Sequence, residues 1–162
     1  MLVTDDEIAA LRALLDADDR LHHEIRGRKR PGSGVSSMAF LTAAFVKAVR
    51  RRFGKDSTEA DVIDYVADVR GRSEEIGDAI DPRAAEKLIL AALNDEGGGD
   101  IDVRTRGRIY ITFIGALVSD EHLDDEGIEV FLAAARECAD EALAERPVLI
   151  TDEHVARVPS DL

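Results

Sequence analysis

The residues best equipped for chemistry in this chain are cations concentrated between positions 20 and 55. This stretch holds ten Lys or Arg residues and a single acid, Glu24, whereas the whole chain carries a formal net charge of −13. Separated blocks of opposite charge produce a field that can hold a chain to itself, to a second copy or to an anion. The basic stretch is therefore the first place to look for a binding site.

One part of this stretch resembles a phosphate cradle in composition. The run GSGVSS at 32–37 leads into a predicted helix N-terminus and follows four cations, Arg26, Arg28, Lys29 and Arg30. Backbone N–H groups, hydroxyls such as that of Ser33, and guanidinium groups can together bind an anion. No nucleotide-binding fingerprint is present. The favoured alternative is a flexible basic linker over 27–34 followed by a serine N-cap, because Gly/Ser segments are usually mobile.

A second cationic cluster is predicted at the C-terminal end of the following helix, where cations complement the helix dipole. Its members Arg50, Arg51 and Arg52 are consecutive and therefore point to three sides of the helix. This arrangement suits a helix end that faces solvent or a partner better than it suits a single pocket. The candidate anion- or partner-binding residues are Arg26, Arg28, Lys29, Arg30, Ser33, Lys47, Arg50, Arg51 and Arg52.

An acidic loop with a histidine is the third candidate. The segment SDEHLDDEG at 119–127 has five acids within seven residues around His122. A calcium loop needs Gly at its sixth position and Glu at its twelfth, and Asp125 and Phe131 stand there instead when the count begins at Asp120. We expect these acids to stabilise the positive N-terminal end of the next helix.

Other catalytic and metal-binding patterns are missing from the sequence. His22 and His23 are adjacent and point about 100° apart on a helix, so they cannot both face one ion. No Glu has a His three residues later, and no Gly-x-Ser-x-Gly elbow occurs. Cys138 falls on an apolar stripe and is predicted to be buried and unreactive. We predict no catalytic residue, no metal site and no cofactor.

Composition excludes further classes. The apolar run at 109–118 is far shorter than the roughly 20 residues of a membrane span, and no signal peptide is recognisable. A single cysteine rules out an intrachain disulfide. The predicted location is therefore the cytoplasm, with no membrane partner. Sequence-specific DNA recognition is not expected, because the candidate reading helix at 82–93 is not basic and the basic stretch lacks stacking aromatics.

The periodicity of apolar residues predicts an all-α, single-domain bundle of about six helices over 1–162, with a short C-terminal helix near 150–158. A Thr4–Glu7 capping box begins a helix predicted to run from Leu2 to Arg26, with a loosened part near Asp16–Asp19. Later helices are predicted from Val35 to Gly54, from Ser57 or Thr58 to Gly71, at 74–80, from Asp81-Pro82 to Leu93, and from Asp124 or Asp125 to Arg146. The run at 104–119 alternates as a strand would, but no second strand could pair with it, so we predict a helix.

The resulting functional prediction is protein–protein association by a non-enzymatic regulatory module, with a protein partner or with a second copy as a homodimer. The second alternative is phosphate or non-specific nucleic-acid binding through residues 26–55. An enzyme using the loop 119–127 is the third.

Overall fold

The computed structural model describes residues 2–16 and 33–145. Over these ranges it contains helices and no strand, and the helices pack around one hydrophobic core, so the predicted all-α bundle is confirmed. The predicted helix at 150–158 lies outside the described residues. The helices are α1 (Asp5–Leu15), α2 (Ser33–Arg52), α3 (Glu59–Gly71), α4 (Glu74–Ala79), α5 (Pro82–Leu93), α6 (Val103–Asp120) and α7 (Asp125–Glu145).

Short polar side chains begin most of these helices, as predicted. Thr4 and Glu7 form a reciprocal capping box on α1, and Thr58 forms one with Asp61 on α3. Asp81 caps α5, where Pro82 occupies the first helical position. Each cap satisfies backbone N–H groups that have no partner inside the helix. The helix starts are thus set locally by the sequence.

The predicted helix Leu2–Arg26 stops before Asp16, the first residue of the part that the sequence predicts to be loosened. Helix α1 ends at Leu15, and Asp16 is its C-cap residue. Asp is a poor helix former, because its side chain competes with the helix for backbone hydrogen bonds. The remainder of the predicted helix, and residues 27–32 of the predicted linker 27–34, lie outside the described residues; the last two linker residues, Ser33 and Gly34, belong to α2.

Helix α2 occupies the centre of the bundle. It packs against α5, α6 and α7, and no residue from Ser36 to Val49 is exposed. A helix that is covered on all sides belongs to the interior of a fold rather than to its surface. It begins at Ser33, two residues earlier than predicted.

The remaining helices pack around this centre. Helix α1 packs on α6 and α7, while α3 packs on α4 and α5. The strand-like run is part of α6, which is capped by Asp102 and buries Ile109, Tyr110, Phe113, Ile114, Leu117 and Val118. In the parts of the chain that the structure describes, we find no helix with the length and hydropathy needed to cross a membrane.

Candidate functional site

The N-terminal part of α2 carries the hydroxyls of the predicted phosphate cradle, and they contact a carboxylate of the chain itself. The Ser36 and Ser37 hydroxyls donate to Glu7 Oε1 at 2.7 and 2.6 Å. The Thr4 backbone N–H donates to the other oxygen of Glu7 at 2.7 Å. Glu7 therefore joins the start of α1 to the start of α2, and both its oxygens accept hydrogen bonds.

These contacts determine the ionisation of Glu7. Partial burial by itself would raise the pKa of the Glu7 carboxyl, but hydrogen bonds from Ser37, Thr4 and Ser36 together hold that pKa below its ordinary value. The Glu7 carboxylate thus accepts the hydrogen bonds of the two hydroxyls that the sequence suggested for binding an external anion. Ser33 is the first residue of α2, and Arg26, Arg28, Lys29 and Arg30 lie outside the described residues.

The cations at the C-terminal end of α2 contact three neighbouring helices. Arg50 donates its Nε–H to the Ala92 carbonyl at 3.2 Å and forms an ion pair with Asp95. Asp95 has a positive φ of 54° just after α5, a conformation common where a helix ends. Arg50 therefore supplies a donor and a charge at the C-terminal end of α5.

Arg51 makes the equivalent contact with α6. Its Nε–H donates to Glu121 Oε2 at 2.8 Å and to Oε1 at 3.2 Å. Glu121 is the C-cap residue of α6, and its side chain is 23% exposed against 45% for Arg51. The pair is partly shielded from water and holds the ends of α2 and α6 together.

Arg52 lies over aromatic rings. Its guanidinium carbon is 5.3 Å from the ring centre of Tyr65 and 5.5 Å from that of Phe53, within the range of a cation–π interaction. The Tyr65 hydroxyl donates to Asp120 Oδ2 at 2.9 Å. Burial, with a further contribution from Asp120, raises the pKa of Tyr65. Arg52 therefore attaches the end of α2 to α3.

The predicted basic cluster therefore joins helices of the bundle and also faces solvent. Arg50, Arg51 and Arg52 contact α5, α6 and α3 respectively, and Lys47 is half-buried. The helix dipole favours cations at this helix end, but their partners on other helices could not be predicted, because those partners lie 13 to 70 residues away in sequence. The side chains of Arg50 and Arg51 are still 47% and 45% exposed.

Acids of the loop 119–127 have similar structural contacts. Asp120 binds Arg72 and Tyr65, and Glu121 binds Arg51. Asp124 accepts the Gly127 N–H at 2.8 Å at the start of α7, as the dipole interpretation expected. His122 is exposed with a φ of 52°. Among the described residues, no three His, Cys, Asp or Glu side chains are grouped so that they could hold a metal ion.

The prediction that Cys138 is buried is wrong, because its side chain is exposed. The buried positions of α7 are Ile128, Phe131, Leu132, Ala135 and Ala139. Successive helix residues are 100° apart. Because Ala139 faces the core, the thiol of Cys138 lies on the flank of the helix. Apolar periodicity does not distinguish the core from the flank of α7 at this position.

Sequence reasoning missed the outer face of α7, which we define as Glu126, Val130, Ala133, Glu137 and Glu141. All five residues are exposed on the side opposite the buried stripe, and Val130 has 62% of its surface accessible. A shallow depression here is lined by Asp125, Glu126, Glu129, Val130 and Ala133. The available signal was a β-branched apolar residue on the polar side of an amphipathic helix.

A cation of the same chain lies at the edge of this depression. Arg12 of α1 donates to Asp125 Oδ1 at 3.3 Å and to Glu129 Oε1 at 3.2 Å. It also pairs with Asp16 at 3.1 Å. The hydrogen bond to Asp16, followed by the charges of Glu129 and Asp125, raises the pKa of Arg12 although burial opposes this. Carboxylates of α7 therefore already accept one guanidinium.

Comparison with known proteins gives no relative: no family model, no curated protein and no solved structure matches this chain.

Proposed function

We propose that this protein is a protein–protein association module, and that its partner binds the outer face of α7. The observation that carries the proposal is Val130, which is 62% exposed in the middle of a row of acids. A partner that covers this side chain removes it from water, while the polar residues around it stay hydrated as the rim of the interface. The function proposed is recognition rather than catalysis.

The contacts of the other candidate residues support recognition over chemistry. The hydroxyls of Ser36 and Ser37 donate to Glu7, and the acids Asp120 and Glu121 bind arginines that join helices. A catalytic acid or base must be able to reach a substrate. Side chains that already hold helices together are poorly placed to do so, which favours association over an enzyme acting at 119–127.

Phosphate or nucleic-acid binding through 26–55 is the second candidate. It is favoured by the half-exposed side chains of Arg50 and Arg51, which leave guanidinium surface available to an anion. A titration of labelled DNA separates the two candidates. Tight binding that is lost on changing Arg50 and Arg51 to Gln would favour this candidate over protein association.

The proposal includes self-association and a cytoplasmic setting. A homodimer is one form of association, and a chain with one cysteine suits a reducing compartment. Light scattering after size-exclusion chromatography, over a range of protein and salt concentrations, measures the first. A monomer under every condition would leave a different protein as the partner.

The decisive test places a photo-crosslinking amino acid at Val130 in cells that express the chain, with Ala67 on α3 as the control position. Both positions are exposed. We expect one discrete protein adduct from position 130 and none from position 67. Adducts of equal yield from both positions, or from neither, would contradict the proposal.

A further inference from the structure

The outer face of α7 combines an apolar centre with three flanking glutamates. Val130 and Ala133 are three residues apart and therefore neighbours on the helix surface. Glu126 precedes Val130 by one turn, and Glu137 and Glu141 follow it by two and three turns. A partner that covers the apolar pair must also face these three carboxylates.

We infer that the segment bound at this face is a basic amphipathic helix, whose apolar stripe covers Val130 and Ala133 and whose Lys or Arg side chains meet the flanking acids. This inference rests on the proposed function and names the chemistry of its partner. A helix presents residues at three- and four-residue spacing. It can therefore match the spacing of the outer face along its length.

The Arg12 contacts provide an internal example of this recognition. One guanidinium spans Asp125 and Glu129, two acids on α7 that are four residues apart. Glu137 and Glu141 have the same spacing and are both exposed, about two and three turns beyond Glu129. A cation from a partner helix can meet them in the way that Arg12 meets the earlier pair.

Charge also argues against a second copy packing face to face. Two outer faces brought together would oppose like charges, and each chain has a formal net charge of −13. Like-charge juxtaposition is unfavourable at an interface, whereas a positive partner is attracted over a longer range. A cationic partner is therefore the occupant that this face fits.

Fluorescence anisotropy with synthetic peptides tests the inference on the full chain. The probe is a labelled amphipathic Lys/Leu helical peptide. One comparison peptide has every Lys replaced by Glu, and another has the same composition in an order that breaks the apolar stripe. We expect the first peptide to bind at least about tenfold more tightly than either of the others, and its affinity to fall as salt is added.

Protein variants locate the binding. The double variant Glu126→Lys/Glu137→Lys should weaken binding of the Lys/Leu peptide by about tenfold, since it loses two attractive pairs. The variant Asp64→Lys/Asp78→Lys makes the same change in net charge at exposed acids of α3 and α4, and it should change affinity by less than about twofold, as expected for distant charges in salt. Circular dichroism establishes that both variants are folded.

Equal weakening by the two double variants would overturn the inference, because binding would then follow net charge alone. Equal affinity for the Lys and Glu peptides would also overturn it. Neither result affects the crosslinking test at Val130, which reports association with a protein of any charge. A discrete adduct at position 130 together with no preference for the basic peptide would retain the proposed function and reject a basic helix as its partner.

Discussion

Arg72 donates from its two terminal guanidinium nitrogens, Nη1 and Nη2, to Asp120 Oδ1 and Oδ2 at 2.9 and 2.8 Å. This bidentate pair joins the end of α3 to the end of α6. Tyr65 donates to the same carboxylate. Asp120 is the last residue of α6, where an acid opposes the helix dipole. The bidentate pair offsets that cost, because parallel charge-assisted hydrogen bonds are among the stronger polar contacts in proteins.

Asp120→Asn should lower the free energy of unfolding by about 1–2 kcal/mol at neutral pH, because the pair is partly shielded and loses one charge. The hydrogen bond from Arg72, against some desolvation, lowers the pKa of Asp120. The contribution is therefore complete above the unfolded-state pKa and is lost as the pH falls through the folded-state value. Urea unfolding over the acid range should show a shallower loss of stability for Asp120→Asn than for wild type. A slope as steep as that of wild type would contradict the assignment, and Asp64→Asn on the exposed side of α3 is the control.

Glu7→Gln should lower the free energy of unfolding by about 1 kcal/mol, because it weakens hydrogen bonds to a charged acceptor that joins α1 to α2. The pKa of Glu7 lies below its ordinary value, so this stabilisation also disappears as the pH falls through the folded-state pKa. Thermal unfolding at neutral and acid pH should show a difference between Gln and wild type that shrinks in acid. Glu75→Gln, at an exposed position of α4, should show no such change. A difference that is constant with pH would mean that the carboxylate charge is not involved.

The Arg51–Glu121 pair should have a small coupling energy. A double-mutant cycle with Arg51→Gln and Glu121→Gln should give about 0.2–1 kcal/mol, the range for partly exposed pairs, and the value should fall with salt. Chemical denaturation with urea, which adds no ionic strength, measures it. A coupling energy of zero at low salt would mean that the Arg51–Glu121 pair does not help to hold α2 to α6.

Cys138 should react with a thiol reagent in the native protein. Its side chain is exposed, so Ellman's reagent should modify it at a rate within about tenfold of that in urea, since access rather than unfolding would control the reaction. Reaction only after unfolding would show that Cys138 is buried in the native protein. Cys138→Ser should also leave stability within about 0.5 kcal/mol, as is usual at exposed sites.

His122→Gly should be more stable than His122→Ala by about 1 kcal/mol. His122 has a φ of 52° between α6 and α7, a left-handed conformation that costs residues with a Cβ about 1–2 kcal/mol, partly offset by the greater flexibility of Gly when unfolded. Comparing the urea midpoints of the two variants tests this backbone explanation. Equal stability would mean that the turn relaxes when its side chain is removed.

The helix starts were predictable because each depends on a few neighbouring residues. Thr4 with Glu7, and Asp81 with Pro82, identify their helices without knowledge of the rest of the chain. The run at 104–119 also came out correctly as a helix, because a strand would have needed a partner elsewhere. Its burial by α2 then explains its many apolar residues.

The exposure and contacts of surface side chains were harder to predict than the helix starts. The exposure of Cys138 depends on which flank of α7 its neighbours cover, and that is a tertiary property that periodicity does not contain. The partners of Arg50 and Arg51 are distant in sequence for the same reason. Val130 could not be predicted as a binding residue from the sequence, because a single apolar residue on a polar helix face is common.

The enclosed stretch Ser36–Val49 has a consequence for how the chain is made. Its partners α5, α6 and α7 are all synthesised after it, so a ribosome releases this helix before these three are available to cover it. The apolar sides of α2 must wait in water or on a chaperone until roughly a hundred further residues have emerged. The apolar surface of α2 is fully covered only when α7 is complete. A chain truncated before α7 would therefore leave part of that apolar surface exposed and prone to aggregation.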